Sequence, residues 1–294
     1  TNLAPDHIGG FEHPTFEHYR DSKKKLFTDF GATFAVGNAD DPATAYMLDG
    51  CSALCSSFGV TAGDFRASEM TPFRAAGELG VEFTLTYFGT RRRVRLPMPG
   101  AFSVHNALCA VALAHLFGVS IDDAAATLAH TYVRGRFEIV KTPLDAVFIL
   151  DYAHNGLSLE SALTTLRAYA PHRLVCVLGS VGGRTEGRRA ELGKVVSEQA
   201  DMVILTADNP DFEDPAAICA AIRDAFVREI PTEIIPDRAE AVRYAVEHAG
   251  AGDIVLFAGK GHEQYQLVRG GKLPFSERRL IEDAAASLAL AKVE

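Results

Sequence analysis

Four stretches of this sequence gather residue types that do chemistry. DNPDFEDP, from Asp208 to Pro215, follows an apolar run and precedes a helical pattern. Asp208 and Asn209 offer oxygens and an amide, Pro210 fixes the turn, and Asp211, Glu213 and Asp214 add a local negative field. Two readings fit: a turn whose Asp214 caps the next helix, or a pocket for a cationic or amine-bearing ligand. AGKGHEQYQ, from Ala258 to Gln266, packs Lys260, His262 and Glu263 onto a short loop whose glycines permit close backbone approach. A plain loop would explain the glycines but not the charged trio. LGSVGGRTEGRR, from Leu178 to Arg189, puts four glycines and three arginines between a strand-like run and a helical one. Arginine forks and a helix N-terminus suit a carboxylate or phosphate, with a solvated basic turn as the alternative. Near the N-terminus His7 stands upstream of Lys23, with Asp6, His13 and His18 nearby. Spacing alone leaves these as surface histidines.

Two common phosphate devices are absent from the sequence. A Walker A loop needs Gly-Lys followed by Ser or Thr, but Lys194, Lys260 and Lys272 are followed by Val195, Gly261 and Leu273. The glycines after Leu178 do not follow G-x-G-x-x-G, so no dinucleotide fingerprint is present either.

The elements that must position these loops are legible in outline. From about Thr131 the apolar runs VFILDYA, RLVCVLGS, DMVILTA, TEIIPD and DIVLFAG each precede a helical pattern of ten to fifteen residues. Strands alternating with helices predict βαβ units, a parallel sheet and a doubly wound α/β domain. Ligands bind beyond the carboxyl ends of such strands, which is where Asp151 to His154 and the three loops fall. The first third is mixed. A helix is predicted from about Phe16 to Phe30, and a hairpin over Phe83 to Pro97 with its turn at Gly89-Thr90. An Ala-rich helix follows from about Ser103 to Phe117, then another from about Asp123 to His130 capped by Ser120 or Asp122.

Composition narrows the class. The chain has 294 residues, 48% hydrophobic and 23% charged, which suits two globular domains and excludes a disordered or collagen-like one. A net charge of −9 argues against a nucleic-acid partner. Five cysteines, an odd count, fit a reducing cytoplasm better than a disulfide framework. Met98 to Ile121 lacks Asp, Glu, Lys and Arg, but its helix-forming part is too short for the ~20 residues that span a bilayer. It reads as a buried helix, and no membrane insertion is expected. No apolar run follows Lys23-Lys24-Lys25, so a signal peptide is not expected, and the missing initiator Met suggests that the chain begins inside a larger protein.

Taken together, TNLAPDH, HYRDSKKKLF, VHNALCAVALA, GRFE, DYAHN, ADNP, DRAEAVRYA and GKGHEQYQ resemble the Mur ligase family, ATP-dependent enzymes that extend the peptidoglycan stem peptide. The segments occur in the family's order from Thr1 to about Arg279, and the DNP and GKGHE loops match the branch that adds the third residue. The resemblance implies an α/β fold: a C-terminal doubly wound, Rossmann-like domain, 134–294, preceded by the back half of the central ATPase domain, 1–133. The UDP-sugar domain and the P-loop half of the ATPase domain would lie outside this sequence, leaving the isolated chain inactive.

The resemblance further implies ATP and Mg²⁺ as cofactors, UDP-MurNAc-dipeptide and a free diamino acid as partners, and work in cell-wall synthesis in the cytoplasm. His7 matches a magnesium-ligand histidine and Lys23 a carbamoylated lysine, whose carbamate oxygens suit Mg²⁺ where an ammonium would repel it. Asn106 matches an adenine contact, Arg136 a phosphate arginine and Asp151 a ribose contact, with His154 in the same motif. For the amino acid, Arg184 matches the α-carboxylate fork, while Asn209 and Glu263, beside Asp208, would hold amine ends. Three positions depart from the family pattern: Asn155 replaces a usual Thr, GGRTEGRR replaces GDRDKGKR, and Asp211 stands where diaminopimelate-selecting enzymes have Arg. A carboxylate brought to ~4 Å from Asp211 would be repelled by ~4 kcal/mol at an effective dielectric of ~20, so the departure favours a diamine such as L-lysine. A folylpolyglutamate-synthase-like sister ligase and a non-catalytic nucleotide- or amino-acid-binding module remain as alternatives.

Overall fold

A computed structural model describes residues 1–3, 13–75, 77–183 and 186–291. The chain divides into two compact units, Thr1–Pro72 with Gly80–Thr131, and Phe73–Leu79 with Tyr132–Glu294.

The first unit opens with helix α1 (Phe16–Thr28), started by the Thr15 side chain accepting from the His18 N–H. Strand β1 (Phe34–Asn38), the short helix α2 (Thr44–Leu48) and strands β2 (Leu54–Gly59), β3 (Phe65–Ala75), β4 (Glu78–Tyr87) and β5 (Thr90–Leu96) follow, the end of β3 and the start of β4 falling in the Phe73–Leu79 segment of the second unit. The strands lie in the order β1-β2-β3-β4-β5. The β4–β5 hairpin turns on Phe88 and Gly89, both with positive φ (42° and 82°), a geometry that matches strand twist. Helix α3 (Ala101–Leu116) lays Val104, Ala107, Leu108, Val111 and Ala112 on the core, the three-to-four-residue spacing that makes one helical face. Its uncharged stretch is therefore core, and no described helix is long and apolar enough to cross a membrane. Helix α4 (Ile121–Leu128) starts two residues earlier than the sequence pattern suggests because Ser120, not Asp122, is its N-cap.

The second unit is a three-layer α/β/α sandwich. In chain order it comprises β6 (Glu138–Val140), β7 (Val147–Asp151), α5 (Gly156–Arg167), β8 (Leu174–Leu178), α6 (Glu186–Gln199), β9 (Met202–Leu205) and α7 (Pro215–Arg223). Then come β10 (Thr232–Ile234), α8 (Arg238–Glu247), β11 (Ile254–Ala258), β12 (Tyr265–Val268), β13 (Gly271–Pro274) and α9 (Glu277–Ala291). The main sheet runs β10-β9-β8-β11-β7-β6, parallel except for the β6–β7 pair. Alternate residues of its strands face opposite layers. Val147, Ile149, Leu174, Cys176, Ile254 and Leu256 pack with α5, α6 and α7. Phe148, Leu150, Val175, Val177, Val255 and Phe257 pack with α8 and α9. With both faces covered, the central strands β7, β8, β9 and β11 read as continuous apolar runs rather than alternating ones. One expectation fails here: DIVLFAG does not lead into a helix, because the β12–β13 hairpin intervenes before α9.

Candidate functional site

Strand β11 lies between β7 and β8. The chain leaves β7, β8 and β9 toward the α5–α7 layer but leaves β11 toward α9, so their carboxyl ends flank a crevice of the kind that binds ligands in open α/β sheets.

At its centre is a buried ion cluster. Lys260, fully buried, places Nζ 2.9 Å from Asn209 Oδ1, 3.0 Å from Glu263 Oε2 and 3.4 Å from Asp208 Oδ1. Asn209 Nδ2 donates to Glu263 Oε2 at 3.0 Å, and its Oδ1 also accepts from the Leu267 N–H at 2.8 Å. Gln266 Nε2 donates to the Asp208 carbonyl. Burial works against the Glu263 carboxylate, yet hydrogen bonds from Asn209 and Lys260 hold it below the usual range. Two carboxylates surround one ammonium, leaving the cluster one negative charge in surplus. The structure thus revises the role expected of Asn209. Both lone pairs of its oxygen are taken, so toward a ligand it is a donor and not an amine acceptor.

The loops are set against one another by backbone contact. Gly261 has φ +50°, and a Cβ there would lie 2.8 Å from the Gly135 carbonyl oxygen and 2.9 Å from Tyr152 Cβ. This contact brings the GRFE segment against GKGHE. Arg136, exposed, stands 4.8 Å over the Tyr152 ring, and the Tyr152 hydroxyl reaches Glu263 Oε1 at 3.5 Å. Asp151 accepts the Phe137 and Ala153 N–H groups at 2.8 Å each. Burial nevertheless raises its pKa, outweighing those bonds and the Arg136 charge. His154 Nδ1 lies 2.8 Å from the Tyr152 carbonyl, which fixes the ring.

The loop after β8 packs on the DNP turn. Gly182 N–H donates to the Asn209 carbonyl, and the Ser180 hydroxyl is buried with no hydrogen-bond partner among the described residues. Arg189 grips Glu213 with both terminal nitrogens, at 2.6 and 2.7 Å, while Gly183 N–H donates to the same carboxylate. The negative field expected from Asp211, Glu213 and Asp214 is accordingly reduced. Glu213 is paired, and Asp214 caps α7 through the Ala216 N–H. Asp211 has φ +52°, and its Oδ1 accepts from the Gly270 N–H at 2.6 Å. Arg184 lies outside the described residues.

In the first unit a cavity of about 470 Å³ is lined by Asn2, Tyr19, Lys23, Phe27, Asn38 and Asp41 among others. The Lys23 ammonium faces the Tyr19 ring at 4.8 Å. His7 lies outside the described residues, and among those described no group of three or more His, Cys, Asp or Glu could hold a metal ion. Asn106 is exposed on α3. Its neighbour His105 places Nε2 3.0 Å from Asp40 Oδ2. Burial works against the Asp40 carboxylate, but the Thr61 hydroxyl, the Val60 N–H and His105 keep it well below the usual range.

The sequence pattern gives no individual role to Lys260, Tyr152, Arg189 or Arg238. Arg238, buried, donates to the Ala207 and Ala258 carbonyls at 3.0 and 2.9 Å and to Glu277 Oε1 at 2.6 Å. It thereby ties the ends of β9 and β11. An Arg in an otherwise helical pattern carries no sign of this; the charged residue right after an apolar strand, as with Lys260, was the available signal.

The family model of the Mur ligase middle domain matches residues 1–114, and that of the Mur ligase glutamate ligase domain matches residues 135–261. A UDP-N-acetylmuramoyl-L-alanyl-D-glutamate--2,6-diaminopimelate ligase from Caldanaerobacter subterraneus is 34% identical over 287 residues, covering 97% of this chain and 58% of the relative. The enzyme of the same name from Chromobacterium violaceum is 40% identical over 294 residues, covering 97% and 57%. A solved structure of a ligase of that name superposes with a TM-score of 0.71 at 29% identity, over 98% of this chain and 59% of that one. The chain therefore spans just under three fifths of the length of these relatives, at 57–59%.

Proposed function

The chain belongs to the Mur ligase family, and on that premise we propose that the protein is an ATP-dependent ligase of peptidoglycan precursor synthesis, joining a free diamino acid to UDP-MurNAc-L-Ala-D-Glu in the cytoplasm. ATP transfers its γ-phosphoryl group to the D-Glu carboxylate, releasing ADP. The amino acid's amine attacks the acyl phosphate, losing a proton, and phosphate leaves.

The observation that carries the amine half is the surplus negative charge of the Asp208, Asn209, Lys260 and Glu263 cluster. Arg184 takes the α-carboxylate in this reading. Arg136, exposed beside Tyr152, offsets charge on the transferring phosphoryl group, and Asp151, His154 and Asn106 serve the nucleotide. Lys23, on a cavity that also presents Asn2, Asn38 and Asp41, suits a carbamate and with His7 would hold Mg²⁺. The ion would neutralise phosphate charge when bound.

For the amino acid, the Asp211 charge favours an ammonium terminus, hence L-lysine, with L-ornithine next. Diaminopimelate is the second reading, favoured by the names of the relatives. The test is the full-length enzyme with ATP, the UDP-dipeptide and each amino acid, read by phosphate release and product mass. Preference for lysine, reversed by Asp211→Arg, supports the first reading; preference for meso-diaminopimelate in the unmodified enzyme refutes it. The 294-residue chain assayed alone should release no phosphate, since no Gly-Lys in it is followed by Ser or Thr.

A further inference from the structure

The Lys260 ammonium is shut off from solvent and sits among the side chains expected to meet the substrate. A buried ammonium is costly unless its hydrogen bonds are made, and here they are made to Asn209, Glu263 and Asp208. Two consequences follow for the neighbours. With Oδ1 of Asn209 held by Lys260 and the Leu267 N–H, the carboxamide cannot flip, and Nδ2 must face Glu263. With Oε2 of Glu263 shared by Lys260 and Asn209, its Oε1 has the Tyr152 hydroxyl at 3.5 Å and is the acceptor left for a ligand.

We propose that Lys260 is a positioning residue for the incoming amino acid, presetting Asn209 and Glu263 and neutralising one of two carboxylates so that the crevice accepts one further ammonium. The proposal rests on the reading of this crevice as the amino-acid site. Lys260 touches no reacting atom; it decides which way Asn209 and Glu263 point.

The test uses the full-length enzyme carrying Lys260→Met, Lys260→Ala or Glu263→Gln, with kcat and separate KM values for amino acid, ATP and UDP-dipeptide. Lys260→Met should raise the amino-acid KM by about tenfold or more, the scale of a lost charge-assisted network, with the other two KM values within about threefold. Propylammonium, which replaces the deleted ammonium and its stem, should restore Lys260→Ala saturably. An unchanged amino-acid KM in Lys260→Met overturns the proposal, as does a loss spread over all three substrates with no propylammonium rescue. If Glu263→Gln raises the amino-acid KM and Lys260→Met does not, the crevice reading stands and the Lys260 proposal falls; if neither does, both fall. Should Lys260→Met not fold, Lys260→Ala prepared in propylammonium takes its place, and failure of that variant to fold as well makes Lys260 purely structural and overturns the proposal.

Discussion

Replacing Arg238 by Met keeps most of the side-chain volume and removes one charge from the interior of the second unit. In the native protein the guanidinium bonds Glu277 Oε1 at 2.6 Å and the carbonyls of Ala207 and Ala258 at 3.0 and 2.9 Å. Arg238 is 1% exposed and Glu277 3%, so water cannot replace those bonds without local opening. Breaking a buried pair by removing one partner costs ~3–5 kcal/mol, and two carbonyls left unpaired add roughly 1 kcal/mol each. The expected loss is thus about 5–7 kcal/mol, against a domain stability of about 5–15 kcal/mol, enough to leave the unit marginal. The double change Arg238→Met with Glu277→Leu removes the stranded carboxylate too and should recover about 2–3 kcal/mol. Guanidinium unfolding followed by far-UV circular dichroism measures both variants, with the transition of the second unit fitted separately from that of the first. A loss below about 1 kcal/mol in the single variant, or a double variant no more stable than the single one, would refute the assignment of Arg238 as the tie between β9 and β11.

Gly261→Ala should destabilise the second unit by about 2 kcal/mol or more in the same unfolding assay, since the added Cβ combines a φ of +50° with contacts under 3 Å to Gly135 and Tyr152. Arg189 and the Gly183 N–H hold the Glu213 carboxyl down to about 2, below its ordinary 4.5. Its contribution to stability is therefore complete above about 4.5 and is lost as pH falls from there through about 2; an acid titration of Glu213→Gln should show a shallower loss across that window. Burial pushes the thiols of Cys176 and Cys219 up to about 12 and about 11, so a thiol reagent at neutral pH should leave both unmodified in the folded chain and react with all five cysteines once it is unfolded.

What the sequence made legible was local. The runs Val147 to Leu150 and Ile254 to Ala258 announce buried parallel strands because every residue in them faces one apolar layer or the other. The α7 cap was readable because Asp214 and the Ala216 N–H it binds are two residues apart. The pairings that shape the site were not readable, because each joins residues separated by whole elements. Lys260 meets Asn209 across 51 positions, Arg238 meets Glu277 across 39, and Arg189 meets Glu213 across 24. No periodicity encodes such contacts; the sheet order does, by inserting β11 beside β8. The hairpin after β11 was missed for a related reason. Tyr265–Val268 and Gly271–Pro274 form a separate two-stranded ribbon, with a single β-bridge to the rest, from Val268 to Asp211, among the described residues, so they lack the apolar run of a sheet-core strand.

Two ion pairs beside the crevice differ in kind from the Lys260 cluster, and the difference bears on where a ligand can sit. Arg238 with Glu277 and Arg189 with Glu213 are one-to-one pairs whose charges cancel, so their contribution to the crevice is geometric. Asp208, Glu263 and Lys260 do not cancel. A chain with a net charge of −9 repels anions at long range, but salt screens exposed charges beyond about 8 Å. A buried surplus is screened much less, so the local imbalance, rather than the overall charge, selects what enters. A cation that can donate to Glu263 Oε1 relieves that imbalance, and an anion at the same point makes it worse. This is the physical reason to expect an amine at this end of the crevice, and to expect the carboxylate of the same molecule to be held by a different loop.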